Sequence, residues 1–80
     1  MNVGQAVAKR LEKLLKINKL TVYKFCRNTG IIEHTLRNIL KCEDRKTVSL
    51  STVLDIARGF NMTLEEFFSD PLFADENLSS

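Results

Sequence analysis

The sequence predicts an all-α fold, a compact bundle of five short helices without strands. Apolar residues recur at three- and four-residue steps through most of the 80 residues, which is the period of one helix face. Two of the three glycines and the single proline stand where these patterns stop. Eighty residues fit one domain, and an apolar fraction of 44% can supply a modest core.

The first predicted helix runs from about Gly4 to Ile17. Its apolar stripe has helical spacing and consists of Val7, Leu11, Leu14 and Leu15. Three lysines lie largely outside this stripe, namely Lys9, Lys13 and Lys16. We interpret them as a solvated face, because lysine side chains are mostly exposed in folded proteins.

Two further helices are predicted within residues 21–42, on either side of Gly30. The inward positions of the second helix are Val22, Phe25, Cys26 and Thr29. Gly30 follows at once, and a helix commonly ends on a residue with positive φ, which glycine adopts without steric cost. Ile31 is the apolar residue that follows the end of this helix, and we expect it to pack against the core. The inward positions of the third helix are Ile32, Leu36, Ile39 and Leu40.

The fourth predicted helix, Leu50 to Gly59, follows a polar loop over residues 42–49. Ser49 is predicted as its N-cap, and Gly59 is expected to end it. The predicted inner face comprises Leu50, Val53, Leu54 and Ala57.

The fifth helix is predicted to be short and to begin at a capping box formed by Thr63 and Glu66. Asp70 closes it, because the residue before a proline disfavours the helical region. We therefore divide the chain into a domain over residues 1–70 and an acidic, flexible tail over residues 71–80. Four apolar side chains near this boundary fit either closure of the core or a dimer interface: Phe67, Phe68, Leu72 and Phe73.

Several classes of protein are excluded by what the sequence lacks. No stretch approaches the roughly 20 apolar residues of a membrane span, and no N-terminal segment has the pattern of a signal peptide, so we expect a cytoplasmic protein without a membrane partner. Two cysteines without CxxC spacing do not make a disulfide framework, and Cys26, Cys42 and His34 are a poor zinc set. A single histidine without a nucleophile beside it, together with isolated glycines, predicts no enzyme, cofactor or small-molecule ligand.

Charge is distributed unevenly along the chain. Residues 1–46 hold eleven Lys or Arg and four acids, whereas residues 47–80 hold one Arg and six acids. This asymmetry argues for an anionic partner on one side of the molecule.

The third predicted helix turns a set of polar side chains outward: Glu33, His34, Arg37, Asn38 and Lys41. The second and third helices are too short to be stable alone and must share a core. A short helix that is held by its neighbours and is polar on its outer face is typical of helices that enter the DNA major groove. Double-stranded DNA is therefore the predicted partner.

A family pattern runs through most of the chain. It is carried by Leu20-Thr21, Phe25-Cys26, Gly30-Ile31, Leu36, Ile39, Leu50, Leu54, Ile56-Ala57, Phe60 and the run from Asn61 to Phe68. Over about residues 4–70 the sequence resembles the Cro/repressor-type helix-turn-helix DNA-binding domains. The resemblance implies a five-helix bundle of the lambda-repressor-like DNA-binding type, with helices 2 and 3 forming the helix-turn-helix. It also implies a small transcriptional regulator of repressor-like type.

By this resemblance, bases are contacted from the start and outer face of the third helix, by Ile32, Glu33, His34, Arg37 and Asn38. The chemistry suits this role, since arginine pairs with guanine O6 and N7 and asparagine pairs with adenine N6 and N7. Phosphate contacts are expected on both sides of the third helix. The first set lies at the start of the second helix, where N–H groups also favour an anion, and consists of Thr21, Tyr23 and Lys24. The second set follows the third helix and consists of Lys41, Arg45, Lys46 and Thr47.

The sequence departs from the family pattern at four positions. Val22 stands where the family often has a phosphate-contacting glutamine, and Ile32 stands where a serine or threonine would cap the third helix. Leu40 and Cys42 replace the usual glutamate and glycine. A second interpretation therefore stays open: a protein-interaction module on the same fold, in which the third helix grips an acidic partner without binding DNA. If the chain forms a homodimer, its operator is expected to be a near-palindrome.

Overall fold

A computed structural model describes residues 1–41 and 48–79, and all regular structure in these ranges is helical. Five α-helices follow in chain order: α1 (Val3–Ile17), α2 (Val22–Thr29), α3 (Glu33–Leu40), α4 (Leu50–Gly59) and α5 (Leu64–Phe67). Two short 3₁₀ turns follow, Pro71–Phe73 and Asp75–Asn77. The prediction of an all-α, five-helix bundle is confirmed, while most of the predicted polar loop lies outside the described residues.

Helix α1 is the longest of the five α-helices. A capping box begins it: Oδ1 of Asn2 accepts from the Gln5 N–H at 2.8 Å, and Oε1 of Gln5 accepts from the Asn2 N–H at 2.9 Å. The predicted apolar stripe is buried along its whole length, as are two alanines: Ala6, Val7, Ala8, Leu11, Leu14 and Leu15. None of the helices described in residues 1–41 and 48–79 has the length and hydropathy to cross a membrane.

Helix α4 packs more closely on α2 than the sequence indicates. A Cβ on Gly59 would lie 2.6 Å from Cζ of Phe25 and 2.7 Å from Cγ2 of Thr29. Gly59 is the last residue of α4, as the sequence predicts, but its φ is not positive, and the left-handed residue after the helix is Asn61 with φ at 58°. The glycine is needed because the two helices touch there. The ring of Phe60 stacks on that of Phe25 with centroids 4.4 Å apart.

Two predicted inward residues are exposed, and one correctly predicted N-cap makes no side-chain hydrogen bond to its helix. Leu50 is 67% exposed, whereas Val53 and Ala57, predicted on the same face of α4, are buried. Ile32 is 69% exposed because it precedes α3 in extended conformation, so the inward face begins only at Leu36. Ser49 occupies the N-cap position of α4, but its side chain makes no capping hydrogen bond, and its Oγ lies 2.7 Å from Oγ of Ser51.

Helix α5 closes the core with an aromatic cluster. Its predicted capping box is present, with Oγ1 of Thr63 accepting from the Glu66 N–H at 3.1 Å and Oε1 of Glu66 accepting from the Thr63 N–H at 2.9 Å. Phe67 is fully buried, and the half-buried rings of Phe68 and Phe73 pack against it and against each other. The structure thus supports core closure for these rings over an exposed dimer interface.

Arg10 lies in the apolar stripe of α1 and joins the helix to α5. Its Nε donates to the Phe67 carbonyl oxygen at 3.0 Å, and its Nη2 donates to that of Glu66 at 3.2 Å. Its Nη1 lies 3.3 Å from Oδ2 of Asp70, which also accepts from Nζ of Lys13 at 2.8 Å. Arg10 thus supplies a donor to the Phe67 carbonyl oxygen at the end of α5, whereas the Glu66 carbonyl oxygen also accepts from the Ser69 hydroxyl at 2.7 Å.

The hydrogen bond from Lys13 lowers the pKa of Asp70, and the Leu72 N–H and the charge of Arg10 act in the same direction. Burial opposes this shift. Since the folded pKa lies below the unfolded one, the carboxylate stabilises the fold above the ordinary aspartate range. That stabilisation is lost as the pH falls through the lowered pKa.

The segment after Asp70 lies against the helical bundle. The ammonium group of Met1 donates to the Asn77 carbonyl oxygen at 3.1 Å, and the Ser79 N–H donates to the Met1 carbonyl oxygen at 2.7 Å. Nδ2 of Asn77 donates to the Pro71 carbonyl oxygen at 2.8 Å. The sequence predicts a tail separate from the domain, whereas these contacts join it to the start of α1.

Candidate nucleic-acid interface

Helices α2 and α3 form a helix-turn-helix whose turn is fixed by local hydrogen bonds. Oγ1 of Thr21 caps α2 by accepting from the Lys24 N–H at 3.1 Å. Gly30 ends α2 with φ at 80°, as the sequence predicts, and its N–H donates to the Cys26 carbonyl oxygen at 2.8 Å. Oγ1 of Thr29 then accepts from the Ile31 N–H at 3.2 Å. The left-handed conformation of Gly30 and the hydrogen bond from Ile31 to Thr29 therefore fix the direction in which α3 leaves the turn.

One face of α3 is anchored in the core. Leu36 and Ile39 are fully buried and face α1, and Phe25 and Cys26 are buried on the α2 side. Burial raises the pKa of the Cys26 thiol, the negative charge of Glu33 adds to this, and Arg37 opposes it. The buried thiol acts as the small apolar packing residue that the sequence predicts.

The opposite face of α3 carries the predicted base-contacting residues. Successive helical residues are about 100° apart, which places His34, Arg37 and Asn38 on the side away from Leu36 and Ile39. His34 and Arg37 are exposed, and Asn38 is half-buried. Glu33 lies at the flank of this face, and Ile32 projects just ahead of it. The structure therefore places His34, Arg37 and Asn38 on one outward side of α3, with Glu33 beside them and Ile32 before the first turn.

Four of these side chains are joined in pairs one helical turn apart. Nε of Arg37 donates to Oε2 of Glu33 at 2.9 Å. Nδ2 of Asn38 lies 3.2 Å from Nε2 of His34, so the two can share a hydrogen bond when that nitrogen of the imidazole carries no proton. The polar face is thus organised before it meets any partner.

Four of the seven predicted phosphate-contacting residues lie within the described part of the chain. Thr21, Tyr23 and Lys24 are exposed at the start of α2, and Lys41 is exposed just after α3. The other three, Arg45, Lys46 and Thr47, lie outside the described residues. The sequence-based set of candidate residues did not include Arg27, an exposed cation beside Tyr23. Its Nη1 lies 3.3 Å from the Tyr23 hydroxyl oxygen, and its guanidinium lies 5.8 Å from the centroid of the Tyr23 ring. Its spacing of four residues from Tyr23 could have indicated it.

Of the four divergent residues, Cys42 lies outside the described residues, and Leu40 packs partly buried against the core. Val22 packs partly buried against the core, and Ile32 makes no side-chain capping hydrogen bond to α3. In residues 1–41 and 48–79 no cluster of three or more His, Cys, Asp or Glu side chains is placed to hold a metal ion.

The fold and this face together define a helix-turn-helix protein. Residues 10–71 match the Cro/C1-type HTH DNA-binding domain, and the chain belongs to that family. The crystal structure of the prophage Lp1 protein 11 is similar, with a TM-score of 0.78 and 18% sequence identity. The alignment covers 94% of this chain and 99% of that one, which supports the fold. A search of curated proteins finds no match.

Proposed function

We propose that this protein is a sequence-specific double-stranded DNA-binding transcriptional regulator of repressor-like type, with α3 in the major groove. The observation that carries the proposal is the outward face of α3, where His34, Arg37 and Asn38 lie opposite two fully buried anchors. Side chains of these types donate and accept the hydrogen bonds that base edges offer.

The dimensions of α3 suit this role. An α-helix with its side chains is about 10–12 Å across, close to the roughly 12 Å width of the major groove, so α3 can enter it. Arg37 suits guanine O6 and N7, and Asn38 suits adenine N6 and N7. Glu33 can accept from cytosine N4, Ile32 can contact a thymine methyl group, and His34 completes the set at the centre of the face.

Phosphate contacts are proposed on both sides of α3 and set the register of the helix on DNA. Residues 21–41 contain four basic residues and one acidic residue, which favours a polyanion. The contacts before α3 are assigned to Thr21, Tyr23 and Lys24, with N–H groups of α2 assisting. The contacts after it are assigned to Lys41, Arg45, Lys46 and Thr47. If two copies bind together, their half-sites lie about 34 Å apart on one face of the duplex.

A protein-interaction module is the second candidate, because Val22 and Ile32 do not supply the polar groups common at their positions. In that case the basic face around α3 would grip an acidic protein partner. Such a module would show no preference among duplex sequences.

Selection from a randomised duplex pool, followed by affinity measurements at several salt concentrations, tests the proposal. We expect one enriched sequence. With about five phosphates neutralised, log K is expected to fall against log salt with a slope near −4.5. No enrichment, together with binding too weak to measure at low salt, would contradict the proposal and favour the interaction module.

A further inference from the structure

Glu33 and Arg37 form an ion pair on the side of α3 that the proposed function turns toward DNA. The two side chains start one helical turn apart, and Nε of Arg37 lies 2.9 Å from Oε2 of Glu33. We propose that Glu33 is a positioning residue that holds Arg37 for contact with guanine and so sets the base preference of the protein. This inference rests on the proposed function and names one determinant of its specificity.

The ion pair occupies one edge of the guanidinium group. The pair is made through Nε, and within residues 1–41 and 48–79 neither Nη1 nor Nη2 of Arg37 has a hydrogen-bond partner. A bidentate guanine contact needs two adjacent donors, and the edge formed by Nη1 and Nη2 supplies them. Arg37 can therefore keep its bond to Glu33 while it binds O6 and N7 of guanine.

The pair has a larger consequence for binding than for stability. Side-chain exposure is 51% for Arg37 and 42% for Glu33, and ion pairs this exposed contribute little to folding. A long side chain that makes a contact on binding loses conformational freedom, however, and this loss costs free energy. Glu33 already restricts the Arg37 side chain in the free protein, so less conformational free energy is lost when Arg37 contacts guanine. A duplex with another base at that position makes no contact with Arg37, and its affinity does not benefit from the restriction. The pair therefore increases discrimination in favour of guanine.

The charge of Glu33 acts in the opposite direction on total affinity. A carboxylate beside the groove repels the phosphate backbone of every duplex, whatever its sequence. Neutralising Glu33 is therefore expected to lower discrimination and to raise affinity for random DNA. If Glu33 merely stabilised α3, its replacement would lower both the discrimination between bases and the affinity for random DNA. A fall in discrimination with a rise in random affinity therefore distinguishes the positioning role from a structural one.

Glu33→Gln is compared with Glu12→Gln as a matched control. Glu12 pairs with Lys16 at 3.3 Å on exposed α1 with the same spacing of four residues, and its replacement removes the same charge. Dissociation constants are measured for the selected duplex, for its single-base variants, including the one in which the guanine assigned to Arg37 is replaced by adenine, and for random duplex. We expect discrimination to fall about three- to tenfold in Glu33→Gln and to stay unchanged in Glu12→Gln.

Three outcomes would overturn the proposal. If Arg37→Ala loses discrimination at this guanine but Glu33→Gln keeps it, Glu33 does not position Arg37, and the proposed function is unaffected. A loss confined to a different base pair shows that Glu33 acts only through its own base contact, such as that with cytosine N4, and not through Arg37. Failure of the unmodified protein to bind any duplex overturns both the function and this inference. Circular dichroism of each variant establishes that it is folded.

Discussion

Replacing Arg10 with methionine is expected to lower the free energy of unfolding by about 3 kcal/mol. Arg10 is 8% exposed, and its guanidinium donates to two carbonyl oxygens of α5 and to the Asp70 carboxylate. Methionine retains much of the apolar stem but donates no hydrogen bond, so the Phe67 carbonyl oxygen and the Asp70 carboxylate lose a buried donor, while the Glu66 carbonyl oxygen keeps its bond from Ser69. Urea unfolding followed by circular dichroism measures the loss.

Lys13→Met is the matched control, because Lys13 binds the same carboxylate from the surface. Its Nζ lies 2.8 Å from Oδ2 of Asp70, but its side chain is 52% exposed. Exposed pairs are worth about 0–1 kcal/mol, so this variant is expected to lose less than 1 kcal/mol. Equal losses in the two variants would show that the charge facing Asp70, rather than the bonds to α5, stabilises this end of the fold.

Replacing Arg37 with alanine is expected to weaken binding to the selected duplex by about 1–3 kcal/mol. The preference at one base pair should disappear, because alanine provides no donor for guanine O6 and N7. Binding to random duplex should change far less, since the proposed phosphate contacts remain. Dissociation constants for the selected duplex and its single-base variants, determined by mobility shift, measure both effects.

Lys24→Ala provides the contrast for this second result. Lys24 is exposed at the start of α2, where a phosphate contact is proposed, and alanine removes the same unit of charge as in Arg37→Ala. This variant should weaken all sequences alike and reduce the magnitude of the salt slope by about 1. Arg37→Ala behaving in the same way as Lys24→Ala would mean that Arg37 contacts the backbone and not a base.

Most of the fold could be predicted from the sequence because its signals are local. The stop at Gly30 and the capping box at Thr63 each depend on residues within a few positions of each other. The role of Arg10 could not be predicted, because its acceptors lie 56–60 residues further along the chain. Its place within an apolar stripe was the available signal, since a charged residue there must find buried partners.

The candidate interface could be predicted in position but not in organisation. Helical spacing places His34, Arg37 and Asn38 on one face, and the structure has them there. Spacing alone also turned Ile32 inward, which failed because that residue lies before the first turn of α3. The pairing of Glu33 with Arg37 depends on rotamers that a sequence pattern does not determine.

Methylation interference on the selected duplex is the most direct test of whether α3 contacts bases from the major groove. Dimethyl sulfate modifies guanine N7, which lies in the major groove, and adenine N3, which lies in the minor groove. We predict that N7 methylation of at least one guanine excludes DNA from the complex, and that Arg37→Ala loses this effect at one guanine. Interference confined to adenine N3, or identical patterns for the two proteins, would contradict the placement of α3.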